Sequence, residues 1–226
     1  IMNHVSHSTI KIVSRIFFAS LFLSSLFLSP ISLAEGSGSF KRAGDWLVGA
    51  KVANLNPAVN SAVSIGGFVE ADFDTFPLLD FRYFLGDRIA LEAIAGTTKH
   101  QIGVKETALG DLNLGSIKVL PPTITLQYHF DTGTNFLPYV GAGINYTFFY
   151  DDDPGESAGI TYSDEVGFAF NVGFDYPLGE RTYLNLDLKK YKLSTNVEVD
   201  AGAAGTATAD VDLDPLVISI GFGWKF

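Results

Sequence analysis

From Val166 to Tyr176 the chain alternates strictly: Val166, Phe168, Phe170, Val172, Phe174 and Tyr176 hold the even positions, with Gly167, Ala169, Asn171, Gly173 and Asp175 between them. A period of two is the signature of a strand with chemically different faces. The same alternation runs through Pro138–Phe148, where Gly141, Gly143, Asn145 and Thr147 stand opposite the bulky phase. It recurs in Thr123–Phe130, in Leu184–Lys189, and in the last segment, where Ile218, Ile220, Phe222, Trp224 and Phe226 oppose Ser219, Gly221, Gly223 and Lys225. The composition of the second face is what matters. A strand with one face in water carries Lys, Glu and Arg there, but here that face is mostly Gly, Ala, Ser, Thr and Asn with a few charges. Small and polar residues fit the interior of a narrow closed barrel, and the bulky phase then faces lipid.

The pattern predicts strands near 42–53, 73–85, 88–98, 120–130, 137–149, 165–176, 181–194 and 215–226. The links alternate in length: 54–72, 99–119, 150–164 and 195–214 are long, whereas 86–87, 131–136 and 177–180 are short. Tight turns at one end and long loops at the other are the habit of outer-membrane barrels. The expected fold is therefore all-β, an eight-stranded antiparallel transmembrane β-barrel with both termini on the periplasmic side. An even number of strands allows closure, and an open edge in hydrocarbon would leave backbone amides unpaired at several kcal/mol each. Trp224, Phe226 and Tyr176 are expected in an interfacial aromatic girdle.

Residues 1–34 have a different character. Lys11 and Arg15 precede a short greasy run from Ile16 to Leu28, then Pro30, and Ser32-Leu33-Ala34 before Glu35. This reads as a cleavable signal peptide, leaving 35–226 as the barrel domain. Removing those 34 of the 226 residues leaves 192; because two basic residues and no acids go, the net charge moves from −10 to −12. Such a charge, with no basic cluster, argues against nucleic-acid binding. The chain has no cysteine, so disulfides and thiolate metal sites are excluded.

Several blocks resemble the outer membrane protein W (OmpW) family of small Gram-negative barrels: Ala43–Val48, Leu120–Phe130, Pro138–Thr147, and Val211 through Phe226. The resemblance covers essentially the whole mature chain. It implies a barrel that admits small hydrophobic molecules, set among outer-membrane lipids and lipopolysaccharide and assembled by the barrel-assembly machinery through the C-terminal strand ending in Phe226. Family members are described as having an apolar lumen, whereas the inward phase here carries Arg82, Glu92, His129, Asp175, Asp187 and Lys189, with Asn145 and Asn171 beside them. These eight are the candidate channel-lining residues. Charges of both signs in a narrow interior point to a paired plug, a selective polar conduit, or a misread phase. The alternative function is a non-conducting structural or receptor barrel acting through acidic extracellular loops.

Catalytic motifs are weak. Gly155–Gly159 matches G-x-S-x-G, yet an acidic Pro-containing loop precedes it and no histidine follows His129, so Ser157 lacks the setting of a nucleophile elbow. His100 is expected to be solvated in a long loop and His129 to be an interior histidine. The carboxylates at 151–153, Glu156, Asp200, Asp210, Asp212 and Asp214 read as solvated acidic loops without calcium-loop spacing, and Ala201–Ala209 as a mobile loop tip. No enzymatic activity, cofactor or metal is expected.

Overall fold

The computed structural model describes residues 40–64, 66–108, 110–200 and 205–226, so the signal-peptide expectation for residues 1–34 lies outside the described residues. Eight antiparallel strands form the barrel: β1 (Trp46–Asn56), β4 (Asp74–Gly86), β5 (Ile89–Ala95), β8 (Thr123–His129), β9 (Leu137–Asp153), β11 (Glu165–Pro177), β12 (Thr182–Asp200) and β14 (Leu216–Lys225). Each pairs with the next in that order. The last then pairs with the first, from Leu47↔Lys225 to Asn56↔Leu216. Closure is completed at the rim, where Trp46 and Phe226 exchange backbone hydrogen bonds at 3.2 and 2.8 Å.

The two phases face as the alternation requires. Phe168 and Phe170 are 63 % and 51 % exposed, while Ala169 between them is fully covered. The same holds for Ile218, Ile220, Phe222 and Trp224 on β14, each at least half exposed. Large apolar side chains on the outside of a closed sheet are stable only against lipid. Inside, glycine makes room for bulk: a methyl group on Gly223 would run into the Tyr183 ring, and one on Gly173 into Tyr139. Two wide tyrosines thus fit into a narrow lumen without spreading its walls.

The four long connections are not the loops expected from sequence. They contain β2 (Val59–Val63), β3 (Phe68–Ala71), β6 (Thr98–Thr107), β7 (Gly110–Leu120), β10 (Gly159–Tyr162) and β13 (Thr206–Leu213). A membrane-crossing strand needs about 9–11 residues. β9 has 17 and β12 has 19, so both run well past the barrel and serve as scaffolds. β13 and β10 pair with the far end of β12, β2 pairs with β13, and β7 pairs with β9, with β6 and β3 following. Three expectations are corrected accordingly. Thr206–Ala209 belongs to β13 rather than to a loose tip, with 201–204 outside the described residues. Asp151–Asp153 end β9, and Asp210 and Asp212 lie in β13. His100 is 5 % exposed on β6, its Nδ1 on Asp72 O at 2.7 Å and its Nε2 on Thr98 Oγ1 at 2.9 Å.

Along the axis the interior is layered. At the short-turn rim Leu47, Phe84, Ala90 and Tyr183 form an apolar cluster, with Phe40 packed against it. A charged layer follows. Beyond it lie two further apolar clusters, one around Phe76, Tyr191 and Val217 and one in the extension around Val104, Ile160 and Val211.

Candidate functional site

The charged layer contains Lys41, Lys51, Arg82 and Lys189 against Asp80, Glu92, Asp175 and Asp187, all buried. Among the described residues four cations meet four carboxylates, a formal balance of charge. Barrel closure decides which of them meet. Arg82 on β4 and Asp175 on β11 are four strands apart in either direction, on opposite walls. Two guanidinium nitrogens donate to the two Asp175 oxygens at 2.7 and 3.0 Å across the lumen. Lys189 on β12 reaches Glu92 on β5 at 2.7 Å, again wall to opposite wall, with Asp187 at 3.7 Å. Lys51 pairs with Asp80 at 2.7 Å on neighbouring strands, and Arg82 Nε lies 3.3 Å from Asp80.

Neutral partners occupy most of the remaining valences. Thr125 donates to Glu92 at 2.6 Å, Tyr139 and Asn171 to Asp187 at 2.9 and 2.7 Å, and Asn185 to Asp175 at 2.8 Å. Below, Lys41 precedes β1 and turns into the lumen, 2.6 Å from Asp175, and donates to His129 Nδ1 at 2.8 Å. The His129 Nε2–H then donates to Gln127 Oε1 at 3.1 Å, the neutral tautomer, with its ring between Phe84 and Tyr139. Buried charges are tolerated when they are paired, and each of these has an opposite charge within reach, although both Asp80 oxygens and Glu92 Oε1 lack a hydrogen-bond partner and Asp80 is held by ion pairing to Lys51 and Arg82.

Above this layer the lumen opens into a cavity of about 200 Å³ walled by Leu55, Ile117, Phe149, Val197 and Val211 among others. Asn145, Thr147 and Tyr191 line its barrel end. Tyr191 meets Thr123 on the far wall at 3.1 Å, a bar across the lumen two residues along β12 from Lys189. The cavity therefore rests on a closed ionic floor.

The eight residues singled out from sequence are all buried inside the barrel. Arg82, Glu92, His129, Asn171, Asp175, Asp187 and Lys189 join the ionic floor; Asn145 alone faces the apolar cavity. Sequence reasoning missed Lys51, Asp80 and Lys41. Asp80 shares a phase with Arg82 two residues on, so the alternation itself was enough to find it. Lys51 lies in a strand whose two phases are both mixed, and Lys41 precedes any strand, so periodicity says nothing of it. The apolar cavity was missed because its walls come from segments taken for loops. Ser157 donates to Pro154 O at 2.7 Å, and Glu156 accepts from Asn113 N–H at 3.0 Å.

A closed eight-stranded wall, apolar outside, with a neutralised ionic floor beneath an apolar chamber, defines a small outer-membrane β-barrel protein. Comparison with known proteins narrows the class. The sequence profile of the OmpW family matches residues 42–226, and the chain belongs to that family. Outer membrane protein W of Vibrio cholerae is 35 % identical over 194 residues, 81 % of this chain and 89 % of that protein. The dibenzothiophene metabolism operon protein PahQ of Pseudomonas aeruginosa is 28 % identical over 161 residues, 71 % and 76 % of the two chains. The crystal structure of outer membrane protein OprG from Pseudomonas aeruginosa superposes with a TM-score of 0.77 at 33 % identity, covering 82 % of this chain and 97 % of that one.

Proposed function

We propose that this protein is a passive outer-membrane conduit for small, mainly hydrophobic molecules. The observation that carries the reading is the apolar chamber closed below by ion pairs running wall to wall. A solute entering from the extended end finds apolar surface and no water-filled path onward. Forcing it past Arg82–Asp175 and Lys189–Glu92 would unpair buried charge, which costs more than apolar burial returns. The cheaper exit is sideways, into the bilayer. Pro57, Pro121 and Pro215 line the chamber where barrel strands pass into the extension, and proline has no N–H with which to seal a ladder. The name of the PahQ relative adds support, since dibenzothiophene is an uncharged fused aromatic.

In this reading the extended end is extracellular and both termini are periplasmic, with residues 1–34 serving as the signal peptide. Lipids and lipopolysaccharide surround the wall, and the C-terminal strand ending at Phe226 is what the barrel-assembly machinery reads. The protein acts without catalysis, cofactor or metal. The test is uptake of an apolar compound by cells with and without the protein. Faster uptake is expected with it, and equal uptake would overturn the reading.

The ionic floor also favours a second reading, a non-conducting structural or receptor barrel acting through the acidic strands of the extension. Ion conductance in planar bilayers does not separate the two, because a sideways conduit also keeps its lumen shut. Apolar uptake does.

A further inference from the structure

The chamber has polar features that passage of plain hydrocarbon leaves unused. Asn145, 2 % exposed, lines it; its Nδ2 donates to Thr147 Oγ1 at 2.6 Å, while Oδ1 has no hydrogen-bond partner. Tyr162 on β10 lines the same chamber, stacked on Phe149 with ring centroids 5.5 Å apart, and its buried hydroxyl is also without a partner. Burial pushes the Tyr162 phenol above the usual tyrosine range, so it stays a protonated donor. Unpaired buried polar atoms are costly, and a solute that supplies the missing partner recovers that cost.

Charge is handled differently. Among the described residues that line the chamber there is no lysine or arginine, and both nitrogens of His100 are engaged. An entering carboxylate would lose its water and gain no counter-ion. A cleft of about 870 Å³ shares Pro57, Val59, Val69, Ala71, Ile102 and Leu112 with the chamber, as a vestibule would. Glu70, Asp72, Asp111 and Glu156 line it against Lys105, which Asp111 holds at 3.1 Å. Four acids and one base leave a formal −3, which repels anions on approach.

We infer that the conduit selects uncharged molecules with an apolar body and one hydrogen-bonding head group, medium-chain alcohols being the simplest, over the matching carboxylates, and that Asn145 receives the head group. This rests on the conduit reading. A donor hydroxyl satisfies Asn145 Oδ1, and a hydroxyl oxygen can accept from Tyr162.

Octane, 1-octanol and octanoate, offered separately to cells with and without the full-length protein, test it. Protein-dependent uptake is expected for the first two and not for octanoate. Asn145→Leu, a change in the chamber wall that every probe meets, should lower the ratio of octanol to octane uptake about fivefold, the share of one hydrogen bond. Tyr162→Phe, in the extension and outside the barrel, gives an independent second variant with the same expected direction. Octanoate uptake equal to that of octanol, or an octanol-to-octane ratio unmoved in both variants when each is folded, would overturn the inference while leaving the conduit standing. If none of the three probes is accelerated, the conduit reading fails and the selectivity falls with it.

Discussion

Replacing Asp175 by leucine is the sharpest test of the ionic floor. The carboxylate is wholly buried, accepts two hydrogen bonds from Arg82 and one from Asn185, and pairs with Lys41. The leucine removes all four interactions and leaves four buried cations against three carboxylates. Breaking a buried pair by deleting one partner costs about 3–5 kcal/mol. Two features place this case at the lower end. Arg82 keeps Asp80 at 3.3 Å, and Lys41, close to the short-turn rim, can swing out to water. We expect a loss of about 3 kcal/mol. Urea unfolding in lipid vesicles, followed by the fluorescence of Trp46 and Trp224 on the outer wall, reads it. The double variant Asp175→Leu with Arg82→Met restores charge balance at three against three, and should recover most of the loss. An Asp175→Leu protein within about 1 kcal/mol of wild type, or a double variant weaker than the single one, would refute the claim that charge pairing holds the floor shut.

Three further outcomes follow from other layers of the structure. Gly143→Val should prevent assembly, because even a methyl group there would collide with the Ile124 backbone across the β8–β9 ladder; loss of the heat-modifiable band on a denaturing gel is the readout. Phe170→Lys places a charge on the lipid face near the middle of β11 and should destabilise the barrel in bilayers by about 2–4 kcal/mol, and an unchanged unfolding midpoint would contradict a hydrocarbon-facing wall. The Glu106 backbone N–H and the Lys105 ammonium hold the Asp111 carboxyl below its ordinary range. A depressed carboxylate stabilises above its unfolded value and stops doing so as pH falls through the folded one. Amide exchange at Glu106 should therefore show lost protection only under strongly acidic conditions, with the barrel amides unaffected.

Much was fixed locally. The alternation at Val166–Tyr176 and at the C-terminus required one bulky and one small face, the link lengths set the strand count at eight, and Phe226 had to close onto the first strand because an open edge cannot persist in lipid. Each of these depends on neighbours two residues apart or on the length of a link, and such information is written along the chain. The pairing of charges is not. Arg82 meets Asp175 and Lys189 meets Glu92 only because closure sets β4 opposite β11 and β5 opposite β12, 93 and 97 residues apart in sequence. The chamber is likewise a tertiary product: segments such as Val59–Val63 and Thr206–Leu213 are too short to announce themselves, and become strands because overlong β12 offers Thr206–Leu213 an edge and that strand in turn offers its own to Val59–Val63. Local period determined which side chains turn inward; the geometry of closure alone decided which of them neutralise one another and where apolar space remains above them.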